Sequence, residues 1–170
     1  MGLAAPPRTE SNTMVKRTSF EHDPCPIARA MEAIGDAWSM LIVREALMGA
    51  RRFGEFQARL GLARNILSAR LKAMVDHGIL EPAPAADGSA YHEYVLTPKG
   101  RGVFPVLVAL RQWSEEFDAA PEEIATVLVD RTSGRPVKKL ELHAADGRLL
   151  GPADTTLKPR TAKPKRASAR

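Results

Sequence analysis

From residue 27 onward, apolar residues recur at helical spacing, and glycine and proline divide them into five predicted helices. Ile27, Ala30, Met31 and Ile34 form the first, which Gly35 stops. Asp36 stands where it can cap the second, AWSMLIVREALMG, whose apolar residues fall on nearly every side and place it at the centre of the fold. Phe53, Phe56 and Leu60 mark a short third helix, and a four-residue turn containing Gly61 follows. A fourth helix over 64–77 aligns Leu67, Leu71, Met74 and Val75 on one stripe and closes at Gly78. Then ILEPAPAADGSAYHEYVLT reads as two strands joined around Asp87-Gly88. Thr97 and Pro98 open a long fifth helix carrying Val103, Leu107, Leu110, Trp113 and Phe117, with Pro105 offsetting or kinking its start.

Beyond residue 120 the pattern changes to short β-like runs, TVLV, VKKLEL and GRLL, separated by turn-rich DRTSGRP and HAADG. Such a meander has too little to bury to stand alone. The expected organisation is a loose arm over 1–22, a main domain over 23–119, a small β-rich extension over 120–157 and a disordered basic tail over 158–170. Helix, turn, helix and hairpin, in that order, predict a mainly α (α+β) winged helix-turn-helix domain.

Charge sharpens this picture only when it is divided. The chain of 170 residues has a formal net charge of +5, but the tail alone holds six basic residues and no acidic one. Within the domain, residues 44–72 hold seven basic side chains against Glu45 and Glu55, whereas 73–97 hold four acidic and no basic ones. The outer face of the fourth helix presents Asn65, Ser68, Ala69 and Lys72, with Arg64 at its tip. A helix lying in the major groove uses such a surface: cations reach phosphates or guanine, Asn pairs with adenine, and small residues permit close approach. The same pattern also describes any amphipathic surface helix; the hairpin and the local basic bias favour the nucleic-acid reading. Arg51 and Arg52 are candidate phosphate grips or parts of a solvated loop, and His92 and Lys99 are candidate backbone contacts at the wing. Arg70 lies off this face, as a partner for an internal ion pair would.

The runs CPIARAMEAIGDAW, LIVREALMGARRFGEF, LSARLKAMVDHGIL and YVLTPKG, in this order over about residues 24–118, resemble the HxlR-type transcriptional regulators. The resemblance implies a homodimer on palindromic double-stranded DNA, held mostly by its first and last helices. Ile27, Met31, Leu107, Leu110, Trp113 and Phe117 fall where that interface would be, although Trp113 could equally pack in its own core. The long last helix is then a dimerisation helix. Three departures stand out: Ala63-Arg64 replaces the usual capping pair, Ala37 replaces a basic residue, and the extension lacks the cysteines of some longer members.

Cys25, the single cysteine, matches a position where some members sense oxidants or electrophiles. With Pro26 at the first helical position, the helix dipole and free N–H groups would favour a thiolate, which Asp23 or burial would oppose. The thiol is therefore either a small packed hydrophobe or a sensor modified by a small-molecule electrophile or oxidant. A repressor is the expected kind of regulator, and sensing would make it redox-responsive; the alternatives are a regulator controlled by a small ligand and a winged helix for protein–protein assembly. No nucleophile has a spaced base, no glycine-rich phosphate loop occurs and no metal-ligand spacing is present, so neither an enzyme nor a cofactor is expected. No apolar run reaches the roughly 18 residues of a membrane span, and no apolar leader stands at the N-terminus, so no membrane association and a cytoplasmic location are expected.

Overall fold

The computed structural model describes residues 19–159. Helices α1 (Pro26–Ile34), α2 (Ala37–Leu47), α3 (Phe53–Leu60) and α4 (Arg64–Asp76) lead into strands β1 (Leu80–Pro84) and β2 (His92–Leu96), then α5 (Pro98–Arg101) and α6 (Phe104–Phe117). The chain divides into two compact units whose boundary falls inside α6, between Leu107 and Val108. The first is the winged helix. Most of the expected arm, residues 1–18, and most of the tail, residues 160–170, lie outside the described residues.

Local chemistry explains the helix starts. Pro26 occupies the first turn of α1, where no N–H is required. Asp36 caps α2: its Oδ1 accepts from Trp38 N and Ser39 N, each at 3.1 Å. Glu55 reaches back from the first turn of α3 and accepts from the N–H groups of Arg51 and Arg52 at 2.7 and 3.0 Å. These two backbone bonds, chiefly, hold its carboxyl below the ordinary carboxylate range. Between α3 and α4 the turn has three residues rather than four, and Gly61 begins it at φ 65°, a conformation other residues seldom adopt.

The core of this unit joins Ile42 and Val43 of α2, Phe56 of α3, Leu67, Leu71 and Met74 of α4, and Ile79, Leu80 and Val103 beyond. Phe56 meets Tyr94 of β2 edge to face, with centroids 6.5 Å apart. Helix α2 is central, touching α1, α3, α4 and β2, but it is not buried all round: Trp38 and Leu47 are exposed.

β1 and β2 pair antiparallel, from Leu80 opposite Leu96 to Pro84 opposite His92. Residues 85–91 join them as a longer loop, in which Asp87-Gly88 makes a turn closed by Gly88 N donating to Ala85 O. The long fifth helix of the sequence pattern is two helices. Pro105 has no N–H to donate to the carbonyl of residue 101, and its ring would clash there. α5 therefore ends at Arg101 and α6 starts afresh at Phe104, with Pro105 in its first turn.

The second unit continues along α6. Gln112 pairs its side-chain amide with the backbone of the extension, donating to Lys138 O at 3.1 Å and accepting from Leu140 N at 2.8 Å. Arg111 donates to Thr126, and Lys139 pairs with Glu116. The turns fall where the pattern placed them, around Asp130–Gly134 and Asp146-Gly147, but among the described residues the strand pairing is confined to two antiparallel bridges, Val129 with Pro136 and His143 with Leu149. Val127, Leu140, Leu142 and Leu149 stay exposed, so no buried face extends the pairing into ladders.

Gly100 is the tightest point of the winged helix. A Cβ there would lie 2.2 Å from Ile79 O and 2.9 Å from Leu96 Cδ2. Gly100→Ala must push α5 away from the α4–β1 junction, and is expected to cost roughly 1–3 kcal/mol of unfolding free energy in urea titration. An unchanged midpoint would show that α5 is not packed as described.

Candidate nucleic-acid interface

Helix α4 separates its residues by chemistry. Leu67, Leu71 and Met74 are fully buried, while Arg64, Asn65, Ser68, Ala69 and Lys72 are exposed. An apolar side chain joins the exposed set, Ile66, 42% accessible and outside the buried stripe. Its position beside Leu67 was the available signal, since helical period excludes it from that stripe. Arg64 sits over the ring of Phe53, 5.7 Å from its centroid. Lys72 pairs with Asp76 at 2.7 Å across one turn, both largely exposed, a contact that costs little to exchange.

The angle of α4 is set from behind. Arg70 Nε lies 3.4 Å from Asp36 Oδ1, so the carboxylate that caps α2 also holds α4. At its other end Lys99 Nζ donates to His77 O at 2.6 Å. Lys99 thereby lies at the C-terminal end of α4, on an open groove between α1, the α4–β1 turn and α5 that Ala33, Ile79 and Val103 also line. It is not grouped with the N-terminal residues of α4, and its ammonium is engaged with backbone.

Arg51 and Arg52 are likewise engaged, by partners that sequence reasoning passed over. Glu93 of β2 is only 5% exposed and receives both arginines: Arg51 Nη1 and Arg52 Nε each approach it to 3.5 Å. Ala86 N also donates to it, at 3.4 Å. At the tip of the wing Asp87 takes Arg52 Nη2 at 2.6 Å and accepts from Ser89 N at 3.0 Å. The Arg52 guanidinium first, and Ser89 next, hold the Asp87 carboxyl well below the usual carboxylate range, and Asp87 in turn raises Arg52. Tyr94 N donates to Arg51 O at 2.7 Å, which ties the same loop to β2 through backbone. Two arginines are thus matched by two wing carboxylates about 40 residues further along the chain. His92 opens β2, exposed beside this cluster.

The arrangement is a helix-turn-helix with a wing on which a helix face is left free for a groove. Residues 33–122 match the model of the HxlR-like helix-turn-helix family. The chain belongs to that family.

Relatives agree. An HTH-type transcriptional regulator of Mycobacterium tuberculosis, Rv3095, is 40% identical over 108 residues, covering 64% of this chain and 68% of the relative. The crystal structure of PA1607, described as a transcription factor, superimposes with a TM-score of 0.80 at 52% identity, over 84% of this chain and all of that one. Another such factor, PA1374 of Pseudomonas aeruginosa, gives a TM-score of 0.59 at 40% identity over 83% and 96%. This HxlR-like chain is therefore a DNA-binding transcriptional regulator and not an enzyme. No helix among the described residues is long and apolar enough to cross a membrane.

Since Asp36 serves both α2 and α4, Asp36→Ala should lose about 1–2 kcal/mol of stability, the upper part of the range for a helix cap. Asp36→Asn, which keeps the acceptor, should recover most of it in chemical denaturation. Equal losses in the two variants would place the contribution in the charge and not in the cap.

Proposed function

We propose that this regulator acts as a homodimer on a palindromic operator, reading bases with the exposed face of α4. That face carries the proposal: an amide, a hydroxyl, a small residue, an apolar tip and a cation stand together on a helix whose opposite face is wholly buried. In a major groove Asn65 supplies the paired donor and acceptor that adenine takes, and Arg64 reaches guanine or phosphate. Ser68 and Ala69 let the helix come close, and Ile66 meets a thymine methyl. Lys72 moves from Asp76 to phosphate, and His92 touches the backbone from the wing.

Dimerisation is supported by apolar surface left exposed among the described residues. Trp113 and Phe117 lie against each other on α6 with centroids 6.0 Å apart, yet are 55% and 67% exposed, and Leu110 continues their stripe. Ile27 and Met31 are exposed on α1. Leu107 differs from the rest of the expected interface: it is partly buried against the core of the winged helix. Paired recognition helices then meet half-sites about one DNA turn apart, roughly 34 Å.

Footprinting of the upstream intergenic DNA tests this reading, together with binding measured against salt. A symmetrical two-part footprint is expected, with affinity falling steeply as salt rises, by a logarithmic slope of about 0.9 per phosphate contacted. Asn65→Ala should weaken the operator about tenfold, the range of a lost bidentate base contact, and Trp113→Glu should sediment as a monomer. DNA affinity that ignores salt would sink the proposal and favour a protein-assembly role.

Cys25 enters as a candidate input. It is exposed at the cap of α1, two residues before Ile27, and its own N–H donates to Asp23 at 2.7 Å. An electrophile adding to its sulfur, or an oxidant joining it to a small thiol, would place bulk beside an apolar stripe of the proposed interface. Quinone or diamide treatment should release wild-type protein from its operator and leave Cys25→Ser bound. Release of both proteins alike, or of neither, would assign the thiol a packing role only.

A further inference from the structure

The charge cluster at the tip of the wing is neutral, and that is the unexpected feature of a surface meant for DNA. Arg51 and Arg52 face Glu93 and Asp87, so a phosphate arriving there finds no unmatched cation unless one carboxylate gives way. The two carboxylates are not equally able to do so. Glu93 is buried on a strand and is shared by both arginines and by Ala86 N. Asp87 has a side chain 55% exposed, stands on the loop between the strands, and is held by Arg52 and by Ser89 N.

The contacts on Arg52 divide in the same way. Its Nε is turned toward the buried Glu93, and its Nη2 toward the exposed Asp87. A guanidinium is a planar fork, and with Nε of Arg52 facing Glu93 its remaining donors suit a carboxylate and a phosphate equally. Exchange of the one anion for the other therefore needs no reorientation of the arginine.

Resting on the DNA-binding reading above, we propose that Asp87 stands in for a DNA phosphate on Arg52 in the free protein, with Glu93 as the positioning residue that keeps the guanidinium aimed while the duplex displaces Asp87. The wing carries its own competitor. The exchange opposes sequence-independent binding, because phosphate contacts are made alike at operator and non-operator DNA.

Because the contact is with backbone, a short duplex of random sequence is a sufficient probe, and fluorescence anisotropy of that duplex is the measurement. Asp87→Asn should bind it about two- to fivefold more tightly at low salt, the span an exposed ion pair represents, with a steeper salt dependence. In an Arg52→Gln background the same substitution should change affinity by less than half as much on a logarithmic scale, since the competitor then has nothing to hold. Thermal melting of each variant checks that the fold is intact. Unchanged or weaker binding by Asp87→Asn would overturn the inference, as would an equal gain in both backgrounds, which would trace the effect to long-range charge. If wild type fails to bind the duplex in a salt-dependent way, the DNA-binding reading itself fails, an outcome distinct from these.

Discussion

The backbone of Ile79 is where the parts of the winged helix are joined. Its N–H donates back to Met74 O at 2.8 Å, closing the end of α4, and its carbonyl accepts from Thr97 N at 3.1 Å, closing the wing. Thr97 Oγ1 donates to Gly78 O at 2.7 Å and accepts from Gly100 N at 3.0 Å, so one hydroxyl serves the α4–β1 turn and the cap of α5 together. Gly100 then passes so close to that carbonyl that no side chain fits. Recognition helix, wing and the start of the last helices are held in one geometry by a few backbone groups. Each must be satisfied, because Ile79 is buried and water cannot replace the bonds.

Around this junction, buried carboxylates set the remaining angles. Glu45 of α2, 5% exposed, receives Arg44 at 2.6 Å and Arg59 of α3 at 3.6 Å. Glu93 does the same for the loop before α3 and for β2. An unpaired carboxylate at such positions would be costly, so the pairs act less as a source of stability than as a condition on where α3 and the wing can lie. That condition matters for a DNA reader, whose exposed residues must stay in register with bases spaced at fixed intervals.

Much of this was legible in the chain. Period and punctuation located α1 to α4 within a residue or two, because glycine, proline or a capping side chain marks most of their ends and apolar residues recur along each at helical spacing. Asp36 was legible as a cap from its place alone, but its second bond, to Arg70, was not, since it joins residues 34 apart in the sequence. The break between α5 and α6 was half legible: Pro105 advertised a disturbance, and only the resulting backbone shows that it opens a new helix. The wing cluster was the least legible element. A count of cations over 44–72 cannot reveal that two of them are neutralised by Glu93 and Asp87, whose own segment looked like an unrelated acidic stretch.

That neutralisation bears on how the positive charge of the domain should be understood. Of the seven basic side chains in 44–72, Arg44, Arg51, Arg52, Arg59, Arg70 and Lys72 all stand within ion-pair distance of a carboxylate, and Arg64 rests on an aromatic ring. The pairs differ in burial and therefore in consequence. Those ending on Glu45 and Glu93 are anchored at a buried carboxylate, and are part of the scaffold. Those ending on Asp76 and Asp87 join exposed partners, where screening by water leaves little to lose on exchange. Under the proposed exchange, a basic surface built this way attracts polyanions less than its count of cations suggests, and does so equally at operator and non-operator DNA. Discrimination between sequences is then left to the base contacts of α4.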